Sequence, residues 1–574
     1  MRRFFAATVT GLLVVVCASS QAQDLPQVDV KLTPLVADGQ LSQIRIVETI
    51  KDISAAPGEA ILSVPARIAL TAGQDYSLNE VTFSDQTGPL PVTMVLDYVP
   101  AGVPLQFRHF KANRQTSGTI TVTYTAKVTP AFTPRKRGPS YDLRGTEGGA
   151  GGAYFSFLLL PLQAPKIDLN LVWDTSALPS GAKTVSTSGP ANIKAQLAPM
   201  EVYPTFFLTG NVKGTEAEHS SFQAHWIGTP PFNTQTMTDW SSKTFGTLEA
   251  FFKDQDKTPY TLLMRPYTRP RDGGGAARGG FMLEYGQGRM DDASRRIMFA
   301  HEMIHHFVSG LDGDSSAVAW YGEGLAEFYK LRLTLDAGLI HVNDIGREIG
   351  YMTRTYYASS LVATPYSDLA KARWDGSDAQ SIPYSRGFMY FVDLNAQIRT
   401  KSEGKRSLDN LVLAMLERKR SGQPYDETAW RALLLDELGA SGIEGLDQML
   451  QGKVIIPTAD AFGQCFKRQV SNHPRTNLGM SEDSFLMTPY KVTGLIPGSA
   501  ADKSGLKDGD DIISFTGVRE RIAHSAANVV ADPKVDIVVQ RGSTPTLFSF
   551  STEDAVITGY KWNFKNGPSD GCSF

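Results

Sequence analysis

The feature that most constrains this chain is a change of hydrophobic period near residue 223. Before it, from about residue 24 to 220, short alternating runs recur, such as Ile44-Arg45-Ile46-Val47 and Thr119-Ile120-Thr121-Val122-Thr123-Tyr124. Gly, Pro, Asn and Asp punctuate these runs, which is the pattern of half-buried strands joined by turns. After it, apolar residues recur at helical spacing in 240–252, 291–308, 319–335, 387–398 and 408–419, with an apolar strand at 260–266. The two periods bury different surfaces, so they imply separate layers and a multi-domain α+β architecture. A β-rich domain, a sandwich or saddle, is expected at 23–222, and a mostly helical domain with a small sheet at its front at 223–455. The pattern turns β-rich again beyond Pro457, so 456–574 is expected as a further unit. Thr133 to Gly152 is basic and then Gly-rich, and reads as a mobile loop; a second Gly-rich loop is read at 273–280. A length of 574 residues accommodates three or four units of roughly 100–200 residues each.

Arg2 and Arg3 open the chain, Phe4 to Ala18 is apolar, and Ser20-Gln21-Ala22 places small residues at positions −3 and −1 of a cleavage site. Residues 1–22 therefore read as a signal peptide, and the mature chain as exported, periplasmic or secreted, with no integral membrane segment. Cleavage removes Cys17 and leaves Cys465 and Cys572, a disulfide candidate in an oxidising compartment. Lys and Arg number 56 against 59 Asp and Glu, a net charge of −3. That balance gives no field for holding nucleic acid or an acidic membrane surface.

The residues that carry chemistry lie at the centre of the helical region. His301-Glu302-Met303-Ile304-His305 falls inside the helix expected from Asp291. Histidines at i and i+4 share a helix face, so both imidazoles can reach one ion. Glu302 projects beside them, where it can hold the water that the ion polarises. A catalytic zinc needs a third protein ligand and an open position. Glu323, in Trp320-Tyr321-Gly322-Glu323-Gly324 at the start of the next helix, supplies a carboxylate. The loop from Gly310 to Ala319 lets that helix fold back across the first, and Gly322 and Gly324 leave the carboxylate uncrowded. Glu327, one turn further on, is placed to take the other ring N–H of a histidine. His306 is turned about a hundred degrees from His305 and reads as structural. His109 reads as a strand histidine. These residues together predict one bound Zn2+ and hydrolysis of peptide bonds.

HEMIHHF followed by WYGEGLAEFY resembles the gluzincin metallopeptidases, which include thermolysin and aminopeptidase N. Nearly the whole mature chain is similar in plan to the glycyl aminopeptidase family, which joins a β-rich N-terminal domain, a thermolysin-like catalytic domain and a C-terminal PDZ domain, with the specific motifs between about 260 and 520. The resemblance implies a role for Tyr384, in Pro383-Tyr384-Ser385-Arg386-Gly387, as the hydroxyl that stabilises the tetrahedral intermediate. In Gly279-Gly280-Phe281-Met282-Leu283-Glu284-Tyr285 it implies a strand beside the substrate, with Gly280 against it and Glu284 gripping its free amine. Tyr285 departs from the histidine that closer relatives carry there. Leu478-Gly479-Met480 resembles a PDZ carboxylate loop, and Ser504 to Ile513 completes that signature, which implies a C-terminal peptide as a second partner. The activity implied is an aminopeptidase favouring small N-terminal residues. An endopeptidase with the same zinc site, or an inactive PDZ-containing peptide-binding protein, remains open at this point.

Overall fold

The computed structural model describes residues 25–574 except 99–104, 132, 134, 136–137, 217–221, 255–258, 268–272, 278, 287–289, 487, 519–532 and 566–571. The signal peptide read at 1–22 lies outside the described residues. In the N-terminal domain, Gln27–Ala37 pairs antiparallel with Gln40–Lys51 and parallel with Ile167–Trp173 inside a seven-stranded sheet. Val28, Val30 and Leu32 are buried while Lys31 is exposed, so the strand's alternation turns one face inward. A four-stranded sheet contains Ala60–Ile68 and Leu105–Ala112, and another contains Gly149–Ala153 and Phe206–Gly210. Their inner faces share one core, filled by Phe157, Leu158, Leu159 and Leu160. His109 is held between Ser63 Oγ at 2.7 Å and Asp97 Oδ1 at 2.8 Å, as befits a strand histidine.

The Gly-rich stretches are not loops. Arg144–Thr146 and Gly149–Ala153 are paired strands, and Gly273–Ala277 is the edge strand of a sheet. A Cβ on Gly149 would lie 2.3 Å from Thr209 O, and one on Gly152 would lie 2.8 Å from Asp142 O. Glycine is used there so that neighbouring backbones can touch, a purpose that composition cannot distinguish from flexibility.

The helical domain begins earlier than residue 223. Its five-stranded sheet runs Lys213–Glu216, Phe222–Trp226, Tyr260–Pro266, Gly280–Tyr285, Gly273–Ala277 in spatial order. Phe281, Leu283 and Tyr285 face the helices, whereas Met282 and Leu263 belong to the core of the β domain. The sheet is thus a wall shared by both domains. The His301 helix spans Asp292–Phe307, capped by Asp291, whose carboxylate accepts the Ser294 N–H at 2.8 Å. The Glu323 helix spans Ala319–Asp336 and is buried on nearly every side. The Tyr384 helix spans Ser377–Lys401, starting ten residues before the apolar pattern shows it. Its first turns bury small and polar residues, Ser377, Ala379, Ser385 and Arg386, and Pro383 interrupts them; these hide the period.

The C-terminal region is not one block from residue 456. Phe466–Thr476 and Glu553–Phe564 form an antiparallel ribbon that lies on the helix Val342–Ala358, with Tyr357 5.6 Å from His473. Phe466, Trp562, Cys572 and Phe574 enter the helical core, and Cys465 and Cys572 are joined in a disulfide. Residues 477–552 form an insertion into this ribbon. It has a three-stranded sheet, Asp511–Thr516, Lys534–Arg541 and Thr544–Ser551, and its own small core around Val492, Val535 and Ile537.

One buried acid makes the β domain sensitive to pH. Glu48 is fully buried, one oxygen accepting the Tyr124 hydroxyl and the other without a partner. Burial, only partly opposed by that bond, pushes its pKa from 4.5 to about 8. Between these two values the unfolded chain holds fewer protons than the folded one, so this group's contribution to stability falls as pH rises. Glu48→Gln cannot ionise. Unfolding by urea at pH 5 and pH 8 should show the unaltered chain losing a few kcal/mol relative to this variant across the interval.

Candidate metal centre

Three helices build the centre, and two glycines set how closely two of them cross. A Cβ on Gly324 would lie 2.5 Å from Gly387 C, and a Cβ on Gly387 would lie 2.3 Å from Trp320 O and 2.8 Å from Gly324 Cα. Any side chain at either position would force the Glu323 helix off the Tyr384 helix. Gly322 plays a related part, since its Cβ would lie 3.2 Å from the Gly310 amide nitrogen. The glycines around Glu323 therefore serve helix contact rather than open space around the carboxylate.

This packing brings His301, His305 and Glu323 together. His301 Nε2 and His305 Nε2 are 3.1 Å apart, and Glu323 Oε2 lies 3.5 Å from the first and 3.2 Å from the second. Donors around a tetrahedral zinc at its usual bond lengths are separated by about 3.3 Å, so the three atoms already form one face of such a polyhedron. Glu323 Oε2 is buried and no hydrogen bond satisfies it. Among the described residues these three form the group of His, Cys, Asp and Glu side chains that can hold a metal ion. Two imidazoles and one carboxylate are a donor set that zinc accepts.

The surroundings favour positive charge. Burial opposes a charge on His301, yet Glu327, Glu323 and Glu302 more than offset it and push its pKa up to about 10. Burial likewise opposes the Glu323 carboxylate, but His301, His305 and Arg373 hold its pKa well below the usual range. His301 Nδ1 lies 2.9 Å from Glu327 Oε1, so the ring nitrogen on that side is turned to a carboxylate and Nε2 faces the site. Lys330 Nζ lies 2.6 Å from Glu327 Oε2 and 2.9 Å from Glu348 Oε1. Lys330 thus completes a buried chain of charges behind the histidine. Sequence reasoning missed it, although a lysine three residues after Glu327 was a visible signal.

Glu302 is half-buried on the same helix as the two histidines, and Tyr260 donates its hydroxyl to the Glu302 carbonyl at 3.1 Å. The Tyr384 ring stacks on His301 with centroids 5.7 Å apart. Burial, together with Glu323 and Glu302 and against the pull of Arg373, holds its hydroxyl well above the ordinary phenol range, so it remains a donor. His306 faces elsewhere, 3.6 Å from Asp254 and packed against Tyr260 and Phe245.

Glu284 and Gly280 are not brought to the centre. They lie on an interior strand, with Gly273–Ala277 outside them at the sheet edge. Strand parity puts Glu284 on the side of Met282, toward the β domain, whereas the metal-binding helices pack on the other side. Its carboxylate is fully buried and takes Arg265 Nη2 at 2.7 Å and Nε at 3.1 Å, with Arg135 on its other oxygen. Asp142 joins the same cluster through Arg265, Arg135 and Arg144. A carboxylate so neutralised is not available to a substrate amine, which corrects the sequence expectation. The missed signal was Arg265, a lone arginine in an apolar strand that could be buried only with an acid. A Cβ on Gly280 would lie 2.0 Å from Thr261 O, so this glycine serves strand contact.

The loop Leu478-Gly479-Met480 lies in the insertion, far along the chain from the centre. The Gly479 N–H is already bonded to Asn477 Oδ1 at 2.8 Å, and Met480 is buried in the unit's core. A short helical turn, Glu482–Phe485, follows the loop. Glu482 accepts the Ser377 hydroxyl at the start of the Tyr384 helix.

No protein-family model matches the chain, and no curated protein matches it. Its fold is that of a solved aminopeptidase N family protein from Idiomarina loihiensis, at 15% identity and a TM-score of 0.63, over 93% of this chain and 98% of that one. An M1 zinc metallopeptidase from Deinococcus radiodurans, solved with a Tyr-Ser-Ala substrate, aligns at 13% identity and a TM-score of 0.47, over 76% of this chain and 96% of that one.

The glycine crossing can be tested against an internal control. Gly387→Ala should lower the thermal midpoint by an amount corresponding to about 1–3 kcal/mol and weaken metal retention after dialysis. Gly350→Ala, whose Cβ would meet nothing within 4 Å, should leave both unchanged or slightly raise stability.

Proposed function

We propose that the protein is a zinc-dependent peptidase of the gluzincin type, with His301, His305 and Glu323 as ligands. The observation that carries this reading is the triangle of three donor atoms 3.1–3.5 Å apart, one of them a buried oxygen with no hydrogen-bond donor. A zinc ion held there supplies Lewis acidity, activating water and polarising the scissile carbonyl. Glu302 takes the proton of the attacking water and returns it to the leaving amine. Tyr384 donates its hydroxyl to the oxygen on which charge develops. Glu327 and Lys330 keep the His301 ring in one orientation. Export accords with the leader sequence and with the Cys465–Cys572 bridge. Among the described residues no helix is long and apolar enough to cross a membrane. The insertion, read as a PDZ-type module, acts in this account as a unit docked on the Tyr384 helix through Glu482.

Glu302→Gln should retain one zinc per chain and lose peptide hydrolysis, while Glu323→Ala should lose the metal. Metal analysis of dialysed protein beside a peptide-release assay reads both. Near-normal turnover in Glu302→Gln would sink the mechanism.

Aminopeptidase action on small N-terminal residues is the narrower reading, supported by the plan of the chain and by the fold it shares with an aminopeptidase N family protein. Endopeptidase action is favoured by one observation, the neutralised Glu284 on an interior strand. Matched peptides with free and acetylated N-termini separate the two. Cleavage confined to the free peptide supports an aminopeptidase with another amine anchor, whereas equal rates identify an endopeptidase.

A further inference from the structure

The two oxygens of Glu323 have different surroundings. Oε2 faces the imidazoles of His301 and His305, while Oε1 accepts from Arg373 Nη2 at 3.2 Å. Arg373 follows the short helix Tyr366–Ala372, and its guanidinium carbon lies 5.6 Å from the Trp374 ring. The side chain is only 12% exposed. Its Nη1 is buried with no hydrogen-bond partner, so the arginine is not drawn away by a second carboxylate on that nitrogen. Lys330 lies between Glu327 and Glu348 on the His301 side, and Arg373 pairs with Glu323.

We propose that Arg373 is a positioning residue of the metal centre: by holding Glu323 Oε1 it makes Glu323 a one-oxygen ligand and keeps a coordination position free. The inference rests on the zinc reading above. A carboxylate can chelate one ion through both oxygens, and nothing in its own geometry prevents Glu323 from doing so. A charge-assisted hydrogen bond to one oxygen does prevent it, because rotating Oε1 toward the ion would break that bond inside a buried site. The second effect is on orientation. A carboxylate tethered at one oxygen presents the other along a fixed direction, which two helices alone do not guarantee for a side chain with three torsions.

The test uses the full-length chain with Arg373→Met and, in case that variant does not fold, Arg373→Gln. Circular dichroism establishes folding. Zinc affinity is then read by competition with a chromophoric chelator, and ligand geometry by the visible spectrum of the cobalt(II)-loaded protein. The expected result is a loss of roughly 10–100-fold in zinc affinity. The cobalt bands should weaken as the ion gains a ligand oxygen, and kcat for peptide at saturating zinc should fall, because the coordination position that Arg373 keeps free is then filled. Arg373→Lys should recover part of the affinity. A folded variant with unaltered zinc affinity and an unaltered cobalt spectrum would overturn the role of Arg373 while leaving the zinc site intact. Failure of the unaltered chain to bind zinc would overturn the metal reading and this inference together.

Discussion

The close crossing of the Glu323 and Tyr384 helices at Gly324 and Gly387 is the contact on which the rest of the centre depends. Backbone meets backbone there, so the two helices have almost no freedom to slide or separate. Glu323 is the residue next to the crossing, and Tyr384 lies one turn away along the other helix. Their positions relative to the histidines are therefore fixed by packing of main chain rather than by the reach of side chains. The buried aromatic layer around Trp320, Tyr321, Phe391 and Trp430 closes behind the crossing and resists its opening.

A second constraint acts from the opposite side of the His301 helix. The five-stranded sheet has an apolar face for the helices and, on the other, a set of buried charges shared with the β domain. Arg265, Glu284, Asp142, Arg144 and Arg135 pair there with little or no exposure to water. Such a cluster adds less net stability than its contacts suggest, because each ion gives up its hydration. It does fix how the domains meet, since displacing any member leaves an uncompensated charge in the interior. The domain boundary therefore behaves as an extension of the core rather than as a hinge.

The sequence made the candidate metal site legible for a simple reason. His301 and His305 sit in one well-capped helix, and the spacing of four residues determines their relation without tertiary information. Glu327 follows from Glu323 by the same helical arithmetic, whereas the approach of Glu323 to the histidines depends on how the two helices pack. The β and helical regions were legible because hydrophobic period survives wherever one face is buried. What failed was anything set by sheet order. Glu284 looked like a substrate contact because the local motif does not reveal that another strand, Gly273–Ala277, lies outside it. The Gly-rich stretches looked mobile because close backbone approach and flexibility call for the same residue. The start of the Tyr384 helix was invisible because Ile382 is its one large aliphatic buried residue before Phe388, the rest being small, polar or proline. Arg373 was missed because it works through another side chain and has no motif of its own, whereas Lys330 showed only as a charge one turn from Glu327.

The insertion in the C-terminal ribbon has a further consequence. Thr476 and Glu553 are register partners, so residues 477–552 leave and re-enter the ribbon at one point. The disulfide and the residues that enter the helical core all lie outside that interval. A segment with adjoining ends and its own core stands to the rest of the chain as a graft stands to its stock. Removing it at that point leaves the two ribbon strands joined end to end, a hairpin that still reaches the helical core through Phe466 and Trp562.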